Sequence, residues 1–218
     1  MIERIKNSLK NDRVTLVGFT NTRDLETFGE IDLLPFAISI GIKLSDMVLK
    51  TVSDRPSLIY KHHYRIINNH LDFAALRLTR FLEDSGHKAL PIPASQLIDW
   101  ERQLGHLSHR DIARKAGLGW IGRSGLLVNP QYGARVRYVS VLTNLELPDA
   151  EEIPFGCDDC SCCISACPAQ AISKDGVNIR RCYEKLNEFS KIRGIGQHIC
   201  GVCVKVCPGS GLHISHSF

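Results

Sequence analysis

All nine cysteines of this chain lie between Gly156 and Pro208, and the first 156 residues contain none. They read Cys157-Asp-Asp-Cys160-Ser-Cys162-Cys163-Ile-Ser-Ala-Cys167-Pro168, then Cys182, then Cys200-Gly-Val-Cys203-Val-Lys-Val-Cys207-Pro208. Two residues between successive cysteines let a tight loop wrap three corners of a small cube, and Cys157, Cys160 and Cys163 have that spacing. A fourth cysteine, four residues on and followed by proline, does not easily turn back to the same cube. In the bacterial two-cluster pattern that cysteine ligates the other cluster. Pro168 lacks an N–H and suits the first turn of a helix leading away. The second half repeats the pattern, with its first cysteine moved upstream to Cys182.

The spacing predicts two [4Fe–4S] clusters in a ferredoxin-like module, with crossed ligands. Cluster one takes Cys157, Cys160, Cys163 and Cys207; cluster two takes Cys167, Cys182, Cys200 and Cys203. Cys162 is left over and reads as a small buried hydrophobe beside the cluster. Structural zinc takes thiolates in Cys-x2-Cys pairs and does not call for a Cys-Pro at the end of both halves. Disulfides are disfavoured, because cysteines at this density compete for partners and the N-terminal Met-Ile-Glu-Arg-Ile-Lys lacks the apolar core of a secretory leader.

The formal charge of +4 does not argue for nucleic acid or a membrane surface. Two oxidised cubanes, each about −2 with their thiolates, bring the loaded protein close to neutral. No apolar run reaches the ~18 residues of a membrane span, and 44% hydrophobic with 23% charged residues is ordinary for a soluble protein. A cytoplasmic, reducing setting is expected. At 218 residues the chain reads as two units: a mixed α/β domain over 1–150 and the double-cluster domain over 151–218. The fold class is therefore α+β.

Along the first unit, Ile2, Ile5 and Leu9 share one face of a short helix. Val14 to Val17 read as a strand closed by Gly18, and Phe36 to Ile42 as a second strand. Ser45-Asp46 caps a helix through Val52. Ile67, Leu71, Ala74, Leu78 and Phe81 mark a long helix from Leu58 to Ser85, stopped at Gly86. Ala89 to Ile92 is an edge strand, because Pro91 and Pro93 interrupt it. A helix over Arg110 to Lys115 stops at Gly117. Leu126–Asn129 and Ala134–Leu142 read as strands. The alternation of the second slips at Tyr138-Val139, so one covered face is expected.

Gly117-Leu-Gly119-Trp120-Ile-Gly122 has Gly-x-Gly-x-x-Gly spacing, but helical residues precede it, so the dinucleotide context is missing. Trp120 is either a core anchor or a flat wall for a planar cofactor. Ser108 is a good N-cap. His109, with His106 before it, is the candidate proton donor to a cofactor pocket. His62, His63 and His70 read as solvated or satisfied histidines, and His213 and His216 as tail residues. Arg180, Arg181, Lys185, Lys191 and Arg193 surround the second half-motif. They offset cluster charge, dock an acidic electron donor, or simply form a solvated face.

Gly117-Leu-Gly-Trp-Ile-Gly122-Arg-Ser, Leu127-Val-Asn-Pro-x-Tyr-Gly133 and Leu142-Thr-x-Leu-x-Leu147-Pro148, followed by the double-cluster module, resemble the epoxyqueuosine reductase family. The resemblance implies a cobalamin-binding domain, distantly similar to nitroreductases and reductive dehalogenases, joined to a two-cubane domain that feeds electrons to the cobalt. The family's Asp-x-x-Pro motif has no counterpart before Gly117, where the chain reads Gln103-Leu-Gly-His106-Leu-Ser-His109-Arg110. Its C-terminal extension, which helps hold transfer RNA, is also missing here. Two functions follow. In the first, an oxidoreductase takes electrons from a donor such as ferredoxin or flavodoxin. It passes them through both clusters to cobalamin, or alternatively a flavin, held at Gly117, Gly119, Trp120 and Gly122. In the second, an electron-transfer protein activates a corrinoid protein partner. Transfer-RNA epoxyqueuosine reduction ranks below both. Substrate and oligomeric state stay open.

Overall fold

The computed structural model describes residues 1–29, 31, 33–99 and 104–210. In chain order its first elements are α1 (Ile2–Lys10), β1 (Leu16–Asn21), β2 (Phe36–Lys43), α2 (Asp46–Lys50), α3 (Leu58–Asp84), β3 (Ala89–Ile92) and α4 (His109–Lys115). Then follow β4 (Trp120–Ile121), β5 (Leu127–Val128), β6 (Val136–Thr143), α5 (Cys162–Ala166), β7 (Ile172–Ser173), β8 (Gly176–Val177), α6 (Ile179–Ser190) and α7 (Val202–Val206).

An antiparallel sheet of order β1-β2-β6-β3 forms the centre. Ile38 pairs with Val141 and Ile40 with Val139, and these four side chains face α1 and α3. There they meet Ile5, Leu9, Leu71, Ala74, Leu78 and Leu82 in one buried cluster. The opposite face presents Ala37 and Leu142 to Ile112 of α4, and Val136 and Tyr138 to Ala113 and Ala116. Both faces of β6 are therefore buried, not one. The slip at Tyr138-Val139 arises because each residue enters a different core, so neither position had to be polar.

β1 also departs from expectation. It runs through Gly18 instead of stopping there. A Cβ at Gly18 would stand 2.6 Å from the Ala116 carbonyl oxygen, so the missing side chain lets the end of α4 lie on the sheet. α3 begins where Ser57 accepts a hydrogen bond from the Tyr60 N–H. It ends in a Schellman pair: the Gly86 N–H bonds to Glu83 and the His87 N–H to Leu82. β3 is an edge strand, as its prolines require. α6 was not anticipated, because that stretch was read only for Cys182 and its basic residues.

The cysteine-bearing segment packs onto the sheet unit. Ile195, Ile199 and Val202 share a buried cluster with Leu44, Leu49, Val52 and Tyr60. No helix among the described residues is long and apolar enough to cross a membrane.

Candidate metal centre

Two short helices carry the heart of the centre. α5 and α7 each end on a cysteine followed by proline, and both cysteines, Cys167 and Cys207, take extended backbone with ψ of 113° and 114°. Proline disfavours helical geometry in the residue before it. Pro168 thus stops α5, rather than opening a new helix as the sequence suggested. Leaving the helix turns the last thiol of each half away from its own loop.

The thiols lie in two adjoining neighbourhoods. Burial pushes the Cys163 thiol up, and the neighbouring thiols of Cys207, Cys157 and Cys160 push it further. Cys207 is raised by burial and again by Cys157 and Cys160. Burial raises Cys200 to about 11, with Cys182 and Cys167 beside it. Cys203 is pushed up to about 12 by burial, then by Cys200, Cys182 and Cys167 and, last, by Cys163. Most of these neighbours fall within the sets expected from the spacing, and the Cys163–Cys203 neighbourhood joins one set to the other. Half-buried thiols crowded in this way resist ionising together unless cationic metal compensates the charge. The donor set therefore fits a thiolate-bound iron–sulfur group. Among the described residues no three His, Cys, Asp or Glu side chains are gathered for a single ion. Cys162 is exposed and lies beside Cys160, because the first turn of α5 faces solvent. It is not the buried hydrophobe expected.

Residues far upstream hold the first loop. Arg123 donates to the carbonyls of Cys157 at 3.2 Å, Cys160 at 2.8 Å and Asp158 at 2.6 Å. Arg135 donates twice to the Cys207 carbonyl, at 3.2 and 3.0 Å, and also reaches Asp46. Sequence reading missed both. The signal for Arg123 was its place inside the glycine segment; for Arg135 there was none. The Trp120 indole N–H donates to Cys157 Sγ at 3.3 Å, and a Cβ on Gly122 would sit 3.3 Å from that sulfur and 2.7 Å from Val128. Backbone N–H groups of Gly209 and Ala134 reach Cys207, and Ala171 N–H reaches Cys167 Sγ.

The glycine segment thus packs against the Cys157 thiol and the β5 backbone. Gly117 closes α4 at φ +69°, and a Cβ on Gly119 would collide with the Val128 carbonyl at 2.1 Å. Trp120 is 4% exposed and forms part of an open cleft of about 340 Å³ with Arg114, Ile121, Ile153 and Phe155. It is an anchor with one face at a cleft.

His109 does not line the cleft at Trp120. Its Nε2 donates to the Pro93 carbonyl at 2.9 Å, and its Nδ1 accepts from the Ser140 hydroxyl at 2.9 Å. Burial lowers its pKa to about 4, and Arg137 works in the same direction. The ring is neutral at pH 7 with its one proton committed, a poor proton source. His63 accepts the Ser45 N–H, His70 bonds the Asp12 carbonyl and His106 the Phe28 carbonyl, all structural. His213 and His216 lie outside the described residues, as does Gln103. A different group was missed by the sequence reading. Burial pushes the Tyr64 phenol up. Arg137, 4.5 Å over the ring, together with Ser95 and Asn68 more than offsets this and holds it below the ordinary value.

Comparison with known proteins bears out the family resemblance, although no protein-family model matches the chain. The chain is similar to the epoxyqueuosine reductase of Lactococcus garvieae, 32% identical over 109 residues, which is 44% of this chain and 30% of that one. The fold matches a solved epoxyqueuosine reductase from Streptococcus thermophilus with a TM-score of 0.65 at 21% identity, covering 96% of this chain and 66% of that one. It also matches a reductive dehalogenase whose structure is described as suggesting a mechanism for B12-dependent dehalogenation. There the TM-score is 0.71 at 19% identity, over 94% of this chain and 31% of that one. The mixed α/β fold read from the sequence is thus the fold of both groups. The matched segment spans under a third of the Lactococcus relative's length.

Proposed function

We propose that the chain is an iron–sulfur oxidoreductase that moves single electrons through two [4Fe–4S] clusters toward a corrinoid acceptor. Cys157, Cys160, Cys163 and Cys207 hold one cluster, and Cys167, Cys182, Cys200 and Cys203 the other. The carrying observation is the spacing of these eight cysteines, with Cys163 and Cys207 beside Cys157 and Cys160, and Cys200 and Cys203 beside Cys182 and Cys167. The division into a sheet unit over 1–150 and a cluster unit over 151–218 belongs to this reading, as does a reducing, cytoplasmic setting. When bound, such clusters supply reversible one-electron transfer at potentials set by hydrogen bonds to sulfur and by exposure. The chain's own contribution is to fix the ligand loops through Arg123 and Arg135 and to set the polarity at Cys157 through Trp120.

A reductase is supported by the names of the relatives, and a corrinoid by the B12-dependent neighbour. The glycines expected to hold the corrinoid are close-packed. Gly119 and Gly122 are packed against neighbours, and the 340 Å³ cleft lies near the bottom of the ~300–1,000 Å³ range for drug-sized ligands. This favours the second reading, in which the corrinoid, or alternatively a flavin, is presented by a partner. Transfer-RNA epoxyqueuosine reduction, ranked last from the sequence, is the activity that the curated relatives' name denotes, and it stands as the narrower candidate.

Anaerobic reconstitution tests the core of this reading, which expects about eight irons per chain. Zinc, or about four irons, would sink it. Adding cobalamin to the loaded protein separates the two acceptor readings. A stoichiometric change in its visible spectrum with a raised melting temperature favours a held corrinoid; no change favours a partner.

A further inference from the structure

The face beside cluster two is the strongest unassigned feature of the molecule. A cavity of about 520 Å³ opens between α3 and the loop after α6, lined by Lys61, Arg65, Ile192, Gly194, Ile195 and Gln197. Lys61 and Arg65 stand one helical turn apart, so both point to the same side. Lys191 and Arg193 are exposed on the flanking loop. Among the described residues none of these four cations pairs with a carboxylate, whereas Arg180 and Lys185 on α6 are neutralised by Glu184 and Glu188. No acidic side chain lines the cavity.

The position of this face ties it to electron flow. Ile195, which forms part of the cavity, packs in the same cluster as Tyr60, Ile199 and Cys200. A Cβ on Gly201 would lie 2.6 Å from the Tyr60 ring, so Tyr60 is pressed onto the loop between Cys200 and Cys203. Lys61 is its neighbour in sequence. The cationic face and the thiols of the second set are thus two sides of one packed layer. The Trp120 cleft borders Cys157 instead, at the other thiol set.

We infer that the Lys61–Arg65–Arg193 face docks a small acidic electron-carrier protein, which delivers electrons at cluster two. This rests on the two-cluster reading and names the entry side for it. The partner is a low-potential one-electron carrier bearing surface carboxylates. It loses one electron and an oxidised cluster gains one; no bond or proton moves. Unpaired cations facing a carboxylate surface raise the association rate and make it salt-dependent.

The test uses the reconstituted full chain, the double variant Lys61→Glu/Arg65→Glu, the single variant Arg193→Glu and a control, Lys10→Glu, on distant α1. An acidic [2Fe–2S] ferredoxin is the probe. Iron content and visible spectra are read first: missing clusters sink the two-cluster reading itself, and the electron step with it. Binding is measured by calorimetry at about 30 and about 300 mM salt, where screening lengths differ roughly threefold. Reduction is followed by stopped flow with reduced ferredoxin and, separately, with dithionite. The expected result is a tenfold or larger loss of ferredoxin affinity and reduction rate in the double variant, a smaller loss for Arg193→Glu, a weakened salt dependence, and no change with dithionite or in the control. Full clusters with wild-type affinity in the double variant, or no salt-sensitive binding by the parent, overturn the docking face alone. Loss of binding to a transfer-RNA stem-loop while ferredoxin reduction is unchanged overturns it in favour of a nucleic-acid surface.

Discussion

Trp120, Arg123 and His109 each do something that a list of their chemical types would not suggest. The Trp120 N–H bonds to Cys157 Sγ, and a hydrogen bond to ligand sulfur favours the more negative, reduced cluster. Trp120→Phe keeps the ring and removes the donor. It is expected to lower the potential of one cluster by roughly 20–60 mV, the one-electron equivalent of a ~0.5–1.5 kcal/mol bond, read by redox titration with unchanged iron content. His109 gives a pH prediction. Its folded pKa of about 4 lies below the ordinary 6.5, so the fold favours the neutral ring. Its contribution is complete above pH 6.5 and is lost as pH falls from 6.5 through about 4. The shift corresponds to at most roughly 3 kcal/mol, trimmed by the ring's partial exposure. Melting temperatures between pH 7 and pH 4 should fall less steeply for His109→Gln than for the parent. An equal fall in both would remove His109 as the cause. The residue types were legible in the sequence, but these partners were not: the indole reaches across 37 residues and the imidazole across 31.

Among the elements, α3 was readable because its apolar residues recur at helical spacing and both ends carry local stops, Ser57 and Gly86. β6 was half-read, since a strand buried on both faces loses the alternation that betrays one covered face. α6 escaped because cysteine spacing, not periodicity, governed the reading of that stretch. The connection between β5 and β6 shows how tightly an element end can be fixed. Gly133 has φ +62°, and a Cβ there would lie 2.3 Å from the Cys207 carbonyl oxygen. Gly133→Ala therefore meets backbone strain and a backbone clash together, and should cost about 2 kcal/mol or more. Thermal denaturation should show the loss, and iron analysis should show cluster one depleted before cluster two. An alanine variant with parental melting and full iron would contradict that contact.

For the molecule as a whole, the sheet with α1, α3 and α4 has its own buried clusters, whereas the cysteine segment contributes few fully buried side chains beyond those it shares with Tyr60 and α2. Metal ligation should then supply much of the order of residues 156–210. Anaerobic chelation is expected to abolish hydrogen-exchange protection there while β1, β2 and β6 stay protected; protection lost everywhere at once would show a single cooperative unit instead. The sequence by itself carried the cysteine spacing from which the ligand sets are proposed and the order of most helices and strands, because these depend on short stretches of covalently spaced chain. Only the tertiary structure decided that the glycine segment packs on the Cys157 thiol, that Arg123 and Arg135 hold the backbone of the cysteine loops, that both ring nitrogens of His109 are hydrogen-bonded, and that Lys61 and Arg65 line one cavity with the loop after α6. Those facts depend on which distant surfaces exclude water together, and spacing along the chain carries no record of that.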